Sequence, residues 1–304
     1  MWRLPLWRAI VGAIVKTVGR FADAVAGGPR QVRAATTAKI LTFDIERRPG
    51  VYLSWDSTPK FLNRGMQLIR SSTISWAAKW YDHGETLYAD IDHGETMFTQ
   101  PEDVRGYREM LQGLSDLLDE ADIVVGYNSA RFDEPKIRGE FVRLGIREPS
   151  PFRTLDLIKT TRRMGWDYRS LAETASAVGI PDDEAKTSHQ GFSLWTDCLN
   201  GRPEAWALME EYNRQDVVLT ERVMDRLRPY IKDHPNLGLW AGTDQLGNPV
   251  PTCPKCGSED LKYMPGKTAR TAQTGYGLLE CGDCGARDTR ANFIKERISL
   301  RTVR

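Results

Sequence analysis

The sequence has almost no net charge: 42 Lys and Arg face 41 Asp and Glu, for +1 at neutral pH. No global basic character therefore announces a polyanionic partner. A long apolar run is also missing. Residues 4–26 come nearest, with Leu6, Ile10, Ile14, Val18, Ala22 and Val25 at helical spacing, yet Arg8, Lys16 and Arg20 interrupt them too often for a transmembrane span. The same breaks argue against a secretory leader cleaved at Ala24-Val25-Ala26. Cysteine is scarce. Of five, four stand in two Cys-x-x-Cys pairs near the C-terminus and Cys198 stands alone. That pattern suits metal ligation better than disulfides, so a reducing, cytoplasmic compartment is expected.

What remains is ordinary in amount and uneven in placement. Hydrophobic residues make up 40% and charged ones 27%, the balance of a soluble globular protein with room for one large domain or two smaller ones. Residues 1–37 are net +5, residues 251–304 net +4, and the stretch between them net −8. An acidic centre between basic ends fits a metal-dependent enzyme acting on a polyanion, and chance also produces it. Segment 4–26 reads as a basic amphipathic helix that docks on its own domain, on a partner or on a membrane surface, with residues 27–37 as a linker.

The centre of the chain is Thr42-Phe43-Asp44-Ile45-Glu46. Leu41, Phe43 and Ile45 alternate with Thr42, Asp44 and Glu46, which is the period of a strand. Asp44 and Glu46 therefore share a face, with Cα atoms roughly 6–7 Å apart. Like charges side by side repel, and a divalent cation between them removes the repulsion. The pair also fits the solvated end of a strand running into Arg47-Arg48-Pro49-Gly50.

Strands are expected at 72–80 and 85–91, around Asp82-His83-Gly84, whose pentapeptide recurs as Asp92-His93-Gly94-Glu95-Thr96. His83 and His93 read as turn residues in preference to metal ligands. A helix is expected to start at Thr99, capped by its side chain with Glu102 reaching back, and to bury Val104, Tyr107, Leu111, Leu114 and Leu118. Residues 123–127 read as a buried strand, followed by a helix from about Pro135 to Gly145. A short strand and helix at 152–158, a helix at 168–178, a long loop at 181–203 and a helix from Pro203 to Leu227 complete an α/β layered domain.

The last helix carries Leu208, Tyr212, Asp216, Leu219, Val223 and Leu227 along one stripe, with a carboxylate in its middle. A buried carboxylate protonates or finds a partner. That partner is a salt bridge or a metal shared with Asp44 and Glu46. Asp133 follows the 123–127 strand, where α/β sheets gather their sites, and it also fits a helix cap before Pro135.

Taken together, Phe43-Asp44-Ile45-Glu46, Asn128-x-x-x-Phe132-Asp133 and Tyr212-x-x-x-Asp216 resemble the three motifs of the DEDD superfamily of 3′–5′ exonucleases. Tyr212, four residues before Asp216, places the resemblance with the DEDDy branch. The wording is similar to the proofreading domains of B-family DNA polymerases and to stand-alone, DnaQ-like phage exonucleases. The resemblance covers roughly residues 38–232 and implies a ribonuclease H-like fold in a bacterial or phage-infected cell. It further implies that Asp44 bridges two Mg²⁺ or Mn²⁺ ions, that Glu46 and Asp216 complete the first ion's ligands, that Asp133 holds the second, and that Tyr212 orients the attacking water. Asn128 and Phe132 are expected to serve the substrate. No polymerase domain follows in this sequence, so proofreading in cis is not expected.

Cys253-Pro-Lys-Cys256-Gly257 and Cys281-Gly-Asp-Cys284-Gly285 read as two knuckles presenting four thiolates to one structural Zn²⁺. Lys262, Tyr263, Lys267, Arg270 and Tyr276 between them suit single-stranded nucleic acid, or a solvated hairpin that only stabilises. The expected organisation is an N-terminal helix and linker over 1–37, an exonuclease domain over 38–232, a linker over 233–250, and a zinc ribbon with a basic tail over 251–304. The expected activity is 3′–5′ exonucleolysis of single-stranded DNA, with a replication or repair protein as partner. An exoribonuclease and a non-catalytic zinc-ribbon adaptor for nucleic acid are the alternatives.

Overall fold

The computed structural model describes residues 37–167, 169–181, 191–270 and 275–291. The expected N-terminal helix over 4–26 lies outside these residues. Two compact units divide the chain, one spanning Lys39–Met224 and the other taking in Thr37, Ala38 and the described residues from Asp225 onward.

In the larger unit, β1 (Ile40–Arg48) is the middle strand of five. On one side it pairs antiparallel with β4 (Ser72–Trp80), which pairs with β5 (Leu87–Asp90). On the other it pairs parallel with β6 (Ile123–Gly126), followed by β7 (Arg153–Asp156). The alternation of β1 divides labour between the sheet's faces. Leu41, Phe43 and Ile45 join Ile74, Trp76 and Ala78 of β4 in the core, against α1 (Tyr107–Glu120) and α2 (Asp133–Leu144). Burial of these large apolar side chains is worth about 1.5–3 kcal/mol each, which is what holds the sheet to its helices. Gly145 ends α2 in the left-handed region, at φ 62°, where glycine carries no Cβ penalty.

Sequence and structure part in several places. Thr99 does not start the next helix. A short 3₁₀ turn spans Pro101–Asp103 without a side-chain cap, and α1 begins only at Tyr107, behind Gly106 at φ 80°. Glu102 pairs with Arg70 instead of reaching back. The Asp133 cap is absent too, because α2 includes Asp133 itself. The irregular segment after β1 contains a two-stranded ladder, β2 (Val51–Tyr52) with β3 (Gln67–Ile69). After α3 (Ile158–Arg163) and α4 (Leu171–Ala177), the expected loop over 181–203 holds a helix, α5 (Ser193–Leu199), which buries Leu194, Cys198 and Leu199. Its two turns were too short to show a periodic pattern. The long helix α6 runs over Pro203–Leu227 as expected. His93 is a packing residue: it stacks on the buried Trp206 with centroids 4.6 Å apart and bonds Asp90 at 2.8 Å.

The smaller unit has an antiparallel sheet of β8 (Leu261–Arg270), β9 (Gly275–Cys281) and β10 (Thr289–Ala291). Gly257 and Gly285 follow the two Cys-x-x-Cys turns at φ 77° and 73°, and their amides bond back to Cys253 and Cys281. The four sulfurs converge: Cys253 Sγ lies 3.7 Å from Cys284 Sγ, and Cys256 Sγ 3.6 Å from Cys281 Sγ. Metal–sulfur bonds of about 2.3 Å give a tetrahedron with edges of about 3.8 Å, so the cluster fits Zn²⁺ and a zinc ribbon. The segment 228–240 is fastened to the first knuckle. The buried Arg228 donates to Lys255 O at 2.8 Å, Lys255 Nζ to Pro229 O at 2.7 Å, and Leu237 N to Pro254 O at 2.7 Å.

Small four-cysteine units fold around their metal. The purified protein is expected to carry about one zinc per chain, and Cys256→Ser to lose it. Elemental analysis with a thermal scan checks this. The variant should lose the ribbon's unfolding transition and keep that of residues 39–224; one shared transition lost altogether would contradict it.

Candidate active site

Asp44 and Glu46 project from the face of β1 opposite the core, beneath α6. Across the ladder Asp44 faces Ala77 and Glu46 faces Ser75. On α6, Asp216 turns toward them. One carboxylate oxygen from each of Asp44, Glu46 and Asp216 lies within 4.8 Å of the others, with Glu46 buried and the other two partly so. Three hard oxygen donors around one space fit a divalent cation such as Mg²⁺ or Mn²⁺.

The face that α6 buries is wider than the expected stripe. Leu219, Val223 and Leu227 are buried as expected, and Met209, Asn213, Val217, Thr220 and Met224 are buried beside them. Tyr212 and Asp216 lie on its margin, so Asp216 reaches the β1 carboxylates instead of the core. The Tyr212 hydroxyl bonds the Asp216 carboxylate, and burial followed by the charge of Asp216 pushes the phenol well up.

Asp133 enters from α2. β6 pairs with β1 only over Ile40–Thr42, so the amide of Ile45 lies beyond that pairing and donates to the Asp133 carboxylate. The turn between β6 and α2 fixes this approach. Asn128 takes the left-handed region at φ 64°, which Asn tolerates, and its amide donates to Asp156 Oδ1 at 2.8 Å. A Cβ on Gly126 would stand 2.4 Å from Ser129, so this crossing admits glycine alone. Phe132, one residue before α2, is 45% exposed and its ring is free to meet a ligand.

The carboxylates share the consequences of crowding. Burial, then the charges of Asp133, Glu46 and Asp216, push Asp44 well above the usual carboxylate range. Burial and then Asp216 push Glu46 up to about 8. Burial pushes Asp133 up to about 7.

Two further residues hold the site. Asn213, fully buried, donates to Asp44 Oδ2 at 2.9 Å and accepts from Ser75 Oγ at 3.2 Å. Trp195 of α5 donates to Glu46 Oε2 at 3.1 Å and stands edge-on to Tyr212, with centroids 6.3 Å apart. Asn213 had a signal in the sequence, a polar residue on a long helix beside Tyr212. Trp195 had none, because it lies in the stretch that read as a loop.

Residues 86–228 match the family described as RNase_H superfamily. The domain is ribonuclease H-like. Among solved structures, the chain is similar to the family B DNA polymerase from the hyperthermophilic archaeon Pyrobaculum calidifontis, at 18% identity and a TM-score of 0.47, over 79% of this chain and 33% of that one. The chain thus spans about a third of that polymerase's length. No curated protein matches it. Among the described residues no helix is long and apolar enough to cross a membrane.

The raised carboxyls make the ribonuclease H-like domain sensitive to pH. Without cations, the folded chain holds protons on Glu46 and Asp133 that the unfolded chain has released, so stability falls as pH rises from the ordinary carboxylate range toward about 8. A bound cation offsets that loss. The thermal midpoint in EDTA is expected to drop between about pH 5 and pH 8, and the gain from Mg²⁺ to grow over the same interval. A Mg²⁺ gain equal at both ends would contradict the site.

Asn213→Ala should cost about 1–3 kcal/mol, because it leaves Ser75 and Asp44 short of a buried partner. It should also lower turnover roughly 10–100-fold, as removing a support of a metal ligand does. Thermal unfolding and single-turnover rates separate the two effects. Full turnover in a destabilised variant would make Asn213 purely structural.

Proposed function

We propose that this protein is a metal-dependent 3′–5′ exonuclease acting on single-stranded DNA. The observation that carries the reading is the convergence of Asp44 and Glu46 from β1 with Asp216 from α6, their ligand oxygens within 4.8 Å. The ribonuclease H-like fold supports a nuclease, and the resemblance of the three motifs to DEDDy exonucleases supports the direction of attack.

In this reading Asp44, Glu46 and Asp216 hold one cation, and Asp133 with Asp44 a second. When bound, two such ions stabilise the charge that develops on the entering and departing oxygens of a phosphodiester. The chain's own groups do the rest. Asn213 and Trp195 hold Asp44 and Glu46 in place. Tyr212 orients the attacking water through its hydroxyl, kept protonated by burial and by Asp216. Water adds to phosphorus, the bond to the 3′ oxygen breaks, and that oxygen leaves with a proton as the new 3′ hydroxyl. Phe132 offers an exposed ring against the terminal base. In the zinc-ribbon unit, Lys262, Tyr263, Lys267 and Arg270 are exposed along β8, which supports a further hold on the strand.

A 5′-labelled oligonucleotide tests the proposal. With Mg²⁺ the product ladder should shorten from the 3′ end, EDTA should stop it, and Asp44→Ala should abolish it while leaving the thermal midpoint in EDTA equal or higher. RNA of the same sequence, run alongside, decides the sugar. Full cleavage by Asp44→Ala would sink the assignment.

A further inference from the structure

The larger unit carries a concavity that the carboxylate site does not use. It encloses about 910 Å³ between the segment after β1 and the outer surface of α2. Its lining holds Arg47, Arg64, Arg70, Lys136 and Arg143 against Glu102 and Glu140. This excess of positive charge stands out in a stretch, 38–250, whose net charge is −8. Both acids are already engaged, Glu140 with Arg47 at 2.7 Å and Glu102 with Arg70. The Arg47–Glu140 pair, with side chains 11% and 5% exposed, forms a buried floor. Arg64, Lys136 and Arg143 are exposed above it, and among the described residues neither Arg64 nor Lys136 is ion-paired. Tyr52 adds an aromatic wall, held by Gln67 Nε2 donating to its hydroxyl at 3.0 Å.

The concavity is continuous with the site along the chain. Lys136, Glu140 and Arg143 extend the row that Asp133 begins on α2, at helical spacings of three, four and three. Arg47 follows Glu46 directly. Exposed guanidinium and ammonium groups over a rigid floor, with an aromatic beside them, match a sugar-phosphate backbone with a stacking base.

We propose that this groove binds the phosphates of the single strand upstream of the nucleotide being removed, with Arg64, Lys136 and Arg143 as the contacts. The proposal rests on the nuclease reading for the strand's identity. It assigns the main electrostatic grip of the catalytic unit to α2 and the segment after β1, away from the carboxylates.

The test is fluorescence anisotropy with a 5′-fluorescein deoxythymidine 12-mer, measured in EDTA so that no cleavage intervenes. In the triple variant Arg64→Gln, Lys136→Gln, Arg143→Gln, Kd should rise at least tenfold, and the slope of log Kd against log salt should fall by about 2, at about 0.7 per lost phosphate contact. Arg105→Gln, an exposed cation outside the groove, should change Kd less than twofold. If the triple variant unfolds, Lys136→Gln alone carries the test, with a slope lower by about 0.7. An unchanged slope overturns the groove. So does a polyglutamate peptide that binds as tightly as the oligonucleotide with the same dependence on the three cations, since the partner would then be an acidic protein. Wild-type protein that binds through the groove yet leaves the strand intact in Mg²⁺ overturns the nuclease reading and not the groove.

Discussion

Four carboxylates share a space that gives them little water, and the rest of the larger unit is arranged to hold them there. Burial raises Asp44, Glu46 and Asp133; the charges of Asp133 and Asp216 add to it at Asp44 and Glu46, and those of Asp156 and Glu134 at Asp133. Hydrogen bonds from Asn213, Trp195 and the Ile45 amide oppose that repulsion only in part. It is contained by geometry: β1 is paired on both sides, α6 lies over it, and Asn213, Trp195 and the Ile45 amide each fix one carboxylate. A divalent cation held by Asp44, Glu46 and Asp216 would offset the repulsion.

That containment needs a stiff platform, and the sheet supplies it by being packed on both faces while successive residues of β1 alternate between them. Phe43 and Ile45 anchor β1 in the core while their neighbours Asp44 and Glu46 face α6. At the margins, ion pairs fasten helices to the sheet: Arg47 to Glu140 on α2, and Lys79 to Glu221 on α6 at 2.6 Å. Each pair joins a strand to the helix over it. Breaking one partner would leave a poorly solvated charge behind, so these pairs fix position more than they add stability.

The smaller unit solves a different problem. Its buried cluster consists of Cys253, Cys256, Cys281 and Ala286, with Leu261 and Cys284 against it. So few apolar side chains do not close a fold alone. Four thiols at tetrahedral spacing are the natural substitute, and the buried Arg228 and Lys255 tie the first knuckle to the segment before it through backbone carbonyls.

Local pattern alone made the alternation of β1, the buried strand at 123–126, the full length of α6 and the paired knuckles legible, because each is written in the spacing of neighbouring residues. The same holds for the identity of Asp44, Glu46, Asp133, Tyr212 and Asp216 as candidates. What spacing does not carry is the angle at which a helix meets a sheet. The packing of α6 over β1 and β4 put Asn213 inside the buried face, bonded to Asp44 and Ser75, and left Asp216 at its margin facing the β1 carboxylates. The reach of Trp195 to Glu46, 149 residues away in the chain, needed the fold to bring α5 back to β1. The start of α1 at Tyr107 instead of Thr99 goes with extended backbone at Gln100 and Val104 and with Glu102 paired to Arg70, a partner 32 residues away in the chain. Residue types and short-range periodicity determined which side chains had the chemistry for a metal site; only long-range packing decided which of them met, because distances across a core are set by the whole fold and not by any window of the chain.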